Sequence, residues 1–176
     1  LTAEENLIPL QTSLPEAIVT VYGTSFDPDP VINSVRRADS IVLGCGMGTD
    51  PVALEVVKTV LRECGCPAVV DADALNLVSQ NRALEKYLAG KIITPHAGEM
   101  ARLVGNRTAD EIMNSVGETV RAFAKEKGLV CVLKDNRTAV SDGGKRVYVN
   151  NSGNNGMSTA GAGDVLAGII GAILAQ

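Results

Sequence analysis

At 176 residues, with 45% hydrophobic and 20% charged residues, the chain holds enough apolar material for one buried core and too little polar bias for disorder. Sixteen Lys and Arg against 20 Asp and Glu leave a net charge of -4, which argues against nucleic acid polymers as partners but leaves room for a small anion held by local geometry. Aromatics are 3% with no Trp, so the core has to be aliphatic; neither a run of about 18 apolar residues nor a secretory leader is visible, and no membrane partner is expected.

In chain order, Ala17–Tyr22 (AIVTVY) reads as a short β-rich run, and Val31–Val35 has helical spacing. Ser40-Ile41-Val42-Leu43 is a short apolar strand that runs into Gly44-Cys45-Gly46-Met47-Gly48. Asp50-Pro51 reads as an N-cap followed by Pro at the first helical position, and Val52–Glu63 is amphipathic, with Leu54, Val57, Val60 and Leu61 on one face. Ala68-Val69-Val70 is a buried-type strand leading into Asp71–Asn76. Lys91–Thr94 is another strand, ended by Pro95, and Gly98–Val104 a helix. Ala109–Lys127 reads as one long amphipathic helix, and Leu129–Leu133 is the clearest strand. Thr138–Val140 and Arg146–Val149 flank Asp142-Gly143-Gly144, a hairpin signal; Asp164–Leu174 is an apolar helix.

Near-continuously apolar strands alternating with helices predict an α/β fold: a three-layer arrangement with a mostly parallel sheet and helices on both faces, in one domain over residues 1–176. Ligands of such sheets bind beyond the carboxyl ends of the strands. Of the four cysteines, Cys45 and Cys131 read as small core residues; none forms a C-x-x-C pair, and one His cannot complete a zinc set. That usage reads as a reducing, intracellular compartment, and a cytoplasmic location is expected.

The loops carry the chemistry. In Gly161-Ala162-Gly163-Asp164 the glycines let a ligand approach the backbone, and the following helix points unpaired N–H groups at it. Asp164 reads either as a helix cap or as a general base acting on a hydroxyl beside a bound phosphoryl group. Neither a Walker A loop nor G-x-G-x-x-G is present. His96, the one histidine, follows a strand and reads as a hydrogen-bonded bystander or a functional group. Glu99 reads as first-turn helix charge or as an oxygen ligand for Mg2+ on a phosphate. Asp71 and Asp73 cap the next helix, line the site, or both; Lys134 is a surface lysine or a phosphate contact.

Four blocks together resemble one family. Val70-Asp71-Ala72-Asp73-Ala74-Leu75-Asn76 resembles its D-A-D-A-L-N block, and Thr94-Pro95-His96-Ala97-Gly98-Glu99-Met100-Ala101-Arg102-Leu103 its T-P-H-x-G-E-[MF]-x-R-L block. Val132-Leu133-Lys134 followed by Thr138 is similar to V-L-K-x-x-x-T, and the stretch Gly153–Gly168 to G-N-P-G-M-A-[TS]-x-G-[TAM]-G-D-V-L-[TA]-G. The family is the ADP/ATP-dependent NAD(P)H-hydrate dehydratase, of ribokinase-like fold. The resemblance implies a lyase that repairs hydrated NAD(P)H, NAD(P)HX, using ADP or ATP and Mg2+. It implies Asp164 as base; Gly46, Gly48, His96 and Asp164 as substrate contacts; Lys134, Asp135, Asn136, Arg137, Thr138, Gly161 and Gly163 as nucleotide contacts; Glu99 toward the metal; and a homo-oligomer. Asn155 stands where the family has Pro, and Asp135-Asn136-Arg137 where Gly-rich residues are common. The family's first strand has no counterpart before Leu1 and its closing helices none after Gln176, so the chain reads as a fragment. The alternatives are a ribokinase-like kinase of a vitamin precursor or sugar, and a nucleotide-binding module without turnover.

Overall fold

The computed structural model describes residues 1–154, 156 and 159–176; Asn155 lies outside the described residues. The expected strand over 17–22 shrinks to Val21–Tyr22 (β2), paired in parallel with Thr2–Ala3 (β1) in a two-stranded ribbon. The preceding Ile18 is 96% exposed: β-branched side chains make a strand only where a neighbour covers them, and none does so there. Helix α1, Leu7–Ser13, lies between the two strands in sequence.

The main sheet follows the predicted alternation. Helix α2 (Pro28–Arg37) leads to β3 (Ile41–Leu43), α3 (Pro51–Glu63), β4 (Ala68–Val70) and α4 (Ala72–Gln80). A 3-10 stretch, Arg82–Leu88, precedes β5 (Ile92–Ile93), α5 (Ala97–Val104), α6 (Ala109–Met113), α7 (Val116–Lys127) and β6 (Val130–Leu133). Strands β7 (Ala139–Ser141) and β8 (Tyr148–Val149) form the hairpin, and α8 (Ala162–Leu174) ends the fold. The sheet order is β3-β4-β5-β6-β7-β8, with the first four strands parallel and β6-β7-β8 antiparallel. Asp50 caps α3 as expected, accepting from Val52 N and Ala53 N.

Register divides the strands between two faces. Val42, Val69, Ile92 and Val130 are cross-strand partners on one face; Leu43, Val70, Ile93 and Cys131 are partners on the other. The second set joins the main core with Val56 and Val57 of α3, Leu75 and Val78 of α4, Met100 of α5 and Phe123 of α7. The first face is covered by α8, which packs over β3 and β4. Its Gly171 is where the helix meets the sheet: a Cβ there would lie 2.5 Å from Val42 Cγ2, and Ser40 Oγ donates to its carbonyl at 2.7 Å. The three layers are therefore unequal. Beyond the contact of α8 with β3 and β4, the first face borders a cleft lined by Val132, Val140 and Tyr148.

The expected single helix over 109–127 is two. Asn114 and Ser115 interrupt it, with Ser115 at φ −140° and ψ 38°. Both side chains compete with helical hydrogen bonding. The Arg107 guanidinium takes the freed Glu111 carbonyl and the Ser115 and Thr119 hydroxyls.

Gly44 closes the turn after β3 at φ +123°, where a Cβ would lie 1.9 Å from the Asp71 carbonyl oxygen. That neighbour is backbone and cannot swing aside. Gly44→Ala is expected to cost at least about 3 kcal/mol, read as the shift of the denaturant midpoint. A shift under about 1 kcal/mol would show that the two loops are not packed this closely.

Candidate active site

Cys45, Asp71, Thr94 and Lys134 sit one or two positions past the carboxyl ends of β3 to β6. Continuing the alternation sends Asp71, Thr94 and Lys134 to the α8 face, side by side. Thr94 N donates to Val70 O at 3.2 Å and Lys134 N to Pro95 O at 2.8 Å, so the ladder extends past the named strands and fixes this register. Lys134 Nζ then reaches Asp71 Oδ1 at 2.6 Å, although the two are 63 residues apart. Asp71 is 1% exposed, and its Oδ1 also accepts from Ala72 N at 2.8 Å, so it both caps α4 and lines the site. Its Oδ2 and the Thr94 hydroxyl have no hydrogen-bond partner among the described residues. Such orphaned buried oxygens are costly and mark a place where something polar is to be met.

Directly above them starts α8. A Cβ on Gly163 would stand 3.4 Å from Lys134 Nζ and 3.9 Å from Asp71 Oδ2, so the ammonium lies against the helix's first turn. The N-cap is Gly161 at φ +82°, and no described side chain caps the helix. Asp164, exposed at the third helical position, makes no capping hydrogen bond among the described residues, which leaves its carboxylate available. The first-turn N–H groups and the Lys134 ammonium together form an anion cradle.

Cys45 departs from its expected core position. Gly44 at φ +123° and Gly46 at φ +62° turn the loop out over the sheet edge, and the thiol ends half-buried beside Asp164. Burial first, then a hydrogen bond to the Asp164 carboxylate, pushes it up to about 12. It stays a protonated thiol at neutral pH and is expected to resist iodoacetamide at pH 8; alkylation at the rate of free cysteine would overturn the contact.

His96 caps α5. Its Nδ1 accepts from Gly98 N at 3.0 Å and Glu99 N at 3.4 Å, which puts the neutral ring's proton on Nε2. Glu99 answers: Oε2 accepts from His96 N at 2.9 Å, and Oε1 stands 3.4 Å from Nε2. Gly98 lets the ring fold back, since a Cβ there would be 2.9 Å from its Cε1. The expected metal residue Glu99 is thus 5% exposed and turned toward His96 with both oxygens. No group of three or more His, Cys, Asp or Glu able to hold a metal occurs among the described residues.

A cleft of about 750 Å3 opens beside the cradle. Lys134, Asp135, Asn136, Thr138 and Gly163 line its polar side; Val132, Val140, Leu166, Ile170 and Tyr148 its apolar side. Thr138 Oγ donates to Asp135 O at 2.9 Å and shapes the turn, which tucks against Gly153. Arg137 and Gly161 do not line the cleft, and Gly46 stands open, with no atom within 4 Å of its would-be Cβ. Gly48 is held by Asp73, its N donating to Oδ2 at 2.9 Å. The structure thus gathers Lys134, Gly163 and most of the 135–138 turn at one cleft, with His96 and Gly48 on the neighbouring loops. Sequence reasoning missed Thr94, Cys45, Tyr148 and the Asp71–Lys134 pair. Only the strand register could have signalled the pair. Among the described residues no helix is long and apolar enough to cross a membrane.

Known proteins are similar to this chain in sequence and fold. The ADP-dependent (S)-NAD(P)H-hydrate dehydratase of Neisseria meningitidis is 38% identical over 172 residues, which are 94% of this chain and 57% of that protein. The bifunctional NAD(P)H-hydrate repair enzyme Nnr of Moorella thermoacetica is 42% identical over 149 residues, 84% of this chain and 28% of its own length. The chain therefore spans between about a quarter and three fifths of these relatives. A ribokinase-like superfamily protein from Enterococcus faecalis superposes with a TM-score of 0.83 at 32% identity, over 99% of this chain and 60% of that one. The ADP/ATP-dependent NAD(P)H-hydrate dehydratase from Bacillus subtilis, co-crystallised with ATP and Mg2+, does so with a TM-score of 0.73 at 27% identity, over 97% of this chain and 59% of that one. A family model described as NAD(P)H-hydrate dehydratase matches residues 1–176, and the chain belongs to that family, with a ribokinase-like fold.

Proposed function

We propose that the protein to which this chain belongs restores hydrated NADH or NADPH by ADP- or ATP-dependent dehydration. The observation that carries the reading is the meeting, at one sheet edge, of a helix N-terminus that no described side chain caps, the Lys134–Asp71 pair and the exposed Asp164 carboxylate. Phosphoryl transfer asks for positioning and charge stabilisation rather than covalent chemistry by the protein. The N–H groups of Gly163 and Asp164, with Lys134, hold the transferring group, while the 135–138 turn and the cleft's apolar wall hold the nucleotide. Asp164 accepts the proton of the ring hydroxyl as its oxygen attacks the terminal phosphorus. The bond to the nucleotide breaks, and the nucleotide leaves one phosphate shorter. The phosphorylated ring then expels phosphate with the C–O electron pair and loses the proton on the adjacent carbon, which restores the double bond.

The His96 ring, held by Glu99, serves as a substrate contact on the neighbouring loop. Mg2+ takes most of its ligands from phosphate oxygens and water. That demand needs no dedicated metal cluster, and none occurs among the described residues; Glu99 would reach the ion, through water, only by giving up its Oε1 contact to His96. When bound on the nucleotide, the ion neutralises phosphate charge. The deciding measurement incubates hydrated NADH with ADP or ATP and follows the near-ultraviolet absorbance of the restored dihydronicotinamide. No recovery with either nucleotide, in the full-length protein, would sink the reading.

A further inference from the structure

We propose that Asp73, Asn76 and Arg102 form a positioning chain that holds the Gly46–Gly48 loop against the helix carrying His96, and so sets the affinity for the hydrated dinucleotide. The inference rests on the dehydratase reading and deepens its substrate side. Gly46 and Gly48 adopt φ +62° and +75°, and Gly46 is exposed. A loop of this kind has wide backbone freedom, and freezing it on binding costs affinity. Asp73 removes part of that freedom beforehand. Its Oδ2 accepts from Gly48 N at 2.9 Å, and its own N donates to Gly44 O at 3.3 Å.

The carboxylate is itself held. Asn76 Nδ2 donates to Asp73 Oδ1 at 3.4 Å, and Arg102 Nε donates to Asn76 Oδ1 at 3.0 Å. Arg102 accepts nothing, so the amide must present its oxygen to the guanidinium and its nitrogen to the carboxylate. Arg102 belongs to α5, and its Nη1 lies 3.8 Å from the Cβ position of Gly98, alongside the first turn that His96 caps. The chain of contacts thus runs from the loop after β3, through α4, to the His96 end of α5. The two carboxylates of Asp71-Ala72-Asp73 face opposite duties: Asp71 fixes Lys134 on the nucleotide side, Asp73 fixes Gly48 on the other.

Steady-state kinetics in the full-length protein, with hydrated NADH and with ADP or ATP varied separately, test this. Asp73→Ala is expected to raise KM for hydrated NADH by about tenfold, with kcat within about threefold and the nucleotide KM unchanged. Asp73→Asn, whose single amide oxygen can take over the bond from Gly48 N but leaves Asn76 Nδ2 without its acceptor, is expected to recover part of the affinity. Arg102→Met is expected to raise the same KM by a smaller factor at an unchanged melting midpoint. An unchanged hydrated-NADH KM in Asp73→Ala overturns the proposal. So does a parallel rise of both KM values, which is what a merely structural role would give. A wild-type protein that restores no absorbance fails earlier and differently: it removes the dehydratase reading itself, and this role with it.

Discussion

Asp164→Asn is expected to lower turnover of hydrated NADH by about 10³-fold while leaving nucleotide affinity within about threefold. The two side chains are nearly isosteric, and Asp164 makes no capping hydrogen bond among the described residues, so the helix start survives the change. The lost helix-dipole interaction amounts to about 0.3–1 kcal/mol, too little to unfold the domain. What disappears is the proton acceptor. An amide cannot take the proton of the attacking hydroxyl, and the transferring group then has no activated nucleophile. Removing a negative charge near bound phosphate favours nucleotide binding, so a calorimetric titration with ADP separates the two effects. Near-normal turnover in the variant would take the base role away from Asp164.

The second large effect concerns Lys134→Met. Two losses combine. The Asp71 carboxylate, 1% exposed, loses the partner 2.6 Å from its Oδ1 and remains buried with Oδ1 held by Ala72 N alone and Oδ2 unmet among the described residues. Breaking one side of a buried pair costs about 3–5 kcal/mol. The anion cradle also loses its one ammonium, whose charge-assisted bond to phosphate is worth about 1.5–3 kcal/mol, or about 10- to 100-fold in ADP affinity. Adding Asp71→Asn separates these losses. The double variant is expected to regain much of the denaturant midpoint, because the uncompensated charge is gone, and to regain none of the ADP affinity. Wild-type ADP binding in the double variant would show that Lys134 serves the fold and not the nucleotide.

Much of this arrangement was legible in the residues. Strands such as Ala68–Val70 carry short apolar runs flanked by turn residues, and Asp50-Pro51 marks its helix start by capping chemistry, which is local. The break at Asn114-Ser115 was not legible: apolar spacing continues across it, and the bonds from Arg107 that stabilise the interruption depend on how the chain enters the helix, not on spacing. The strand over 17–22 is realised only at Val21–Tyr22, since the exposed Ile18 before it finds no described neighbour to cover it. At the site, the helix start and the glycines of Gly161–Asp164 were legible because both signals are local. The partnership of Asp71 with Lys134 depends on the register of three adjacent strands, and the meeting of Cys45 with Asp164 on where α8 docks. Glu99 illustrates the converse: its spacing from His96 equally suits a capping box, and that is the role its geometry fills.

The seating of Gly171 on Val42 and Ser40 has a kinetic meaning. Ser40 and Gly171 are 131 residues apart, so this contact closes a very long loop of chain. Contacts of that span are entropically late and slow folding. The Lys134–Asp71 pair and the sheet can form before α8 docks, but the anion cradle cannot, because half of it is the helix itself. On the proposed reading, competence for nucleotide therefore waits for α8 to dock. Refolding followed by ADP binding should lag refolding followed by burial of the sheet core.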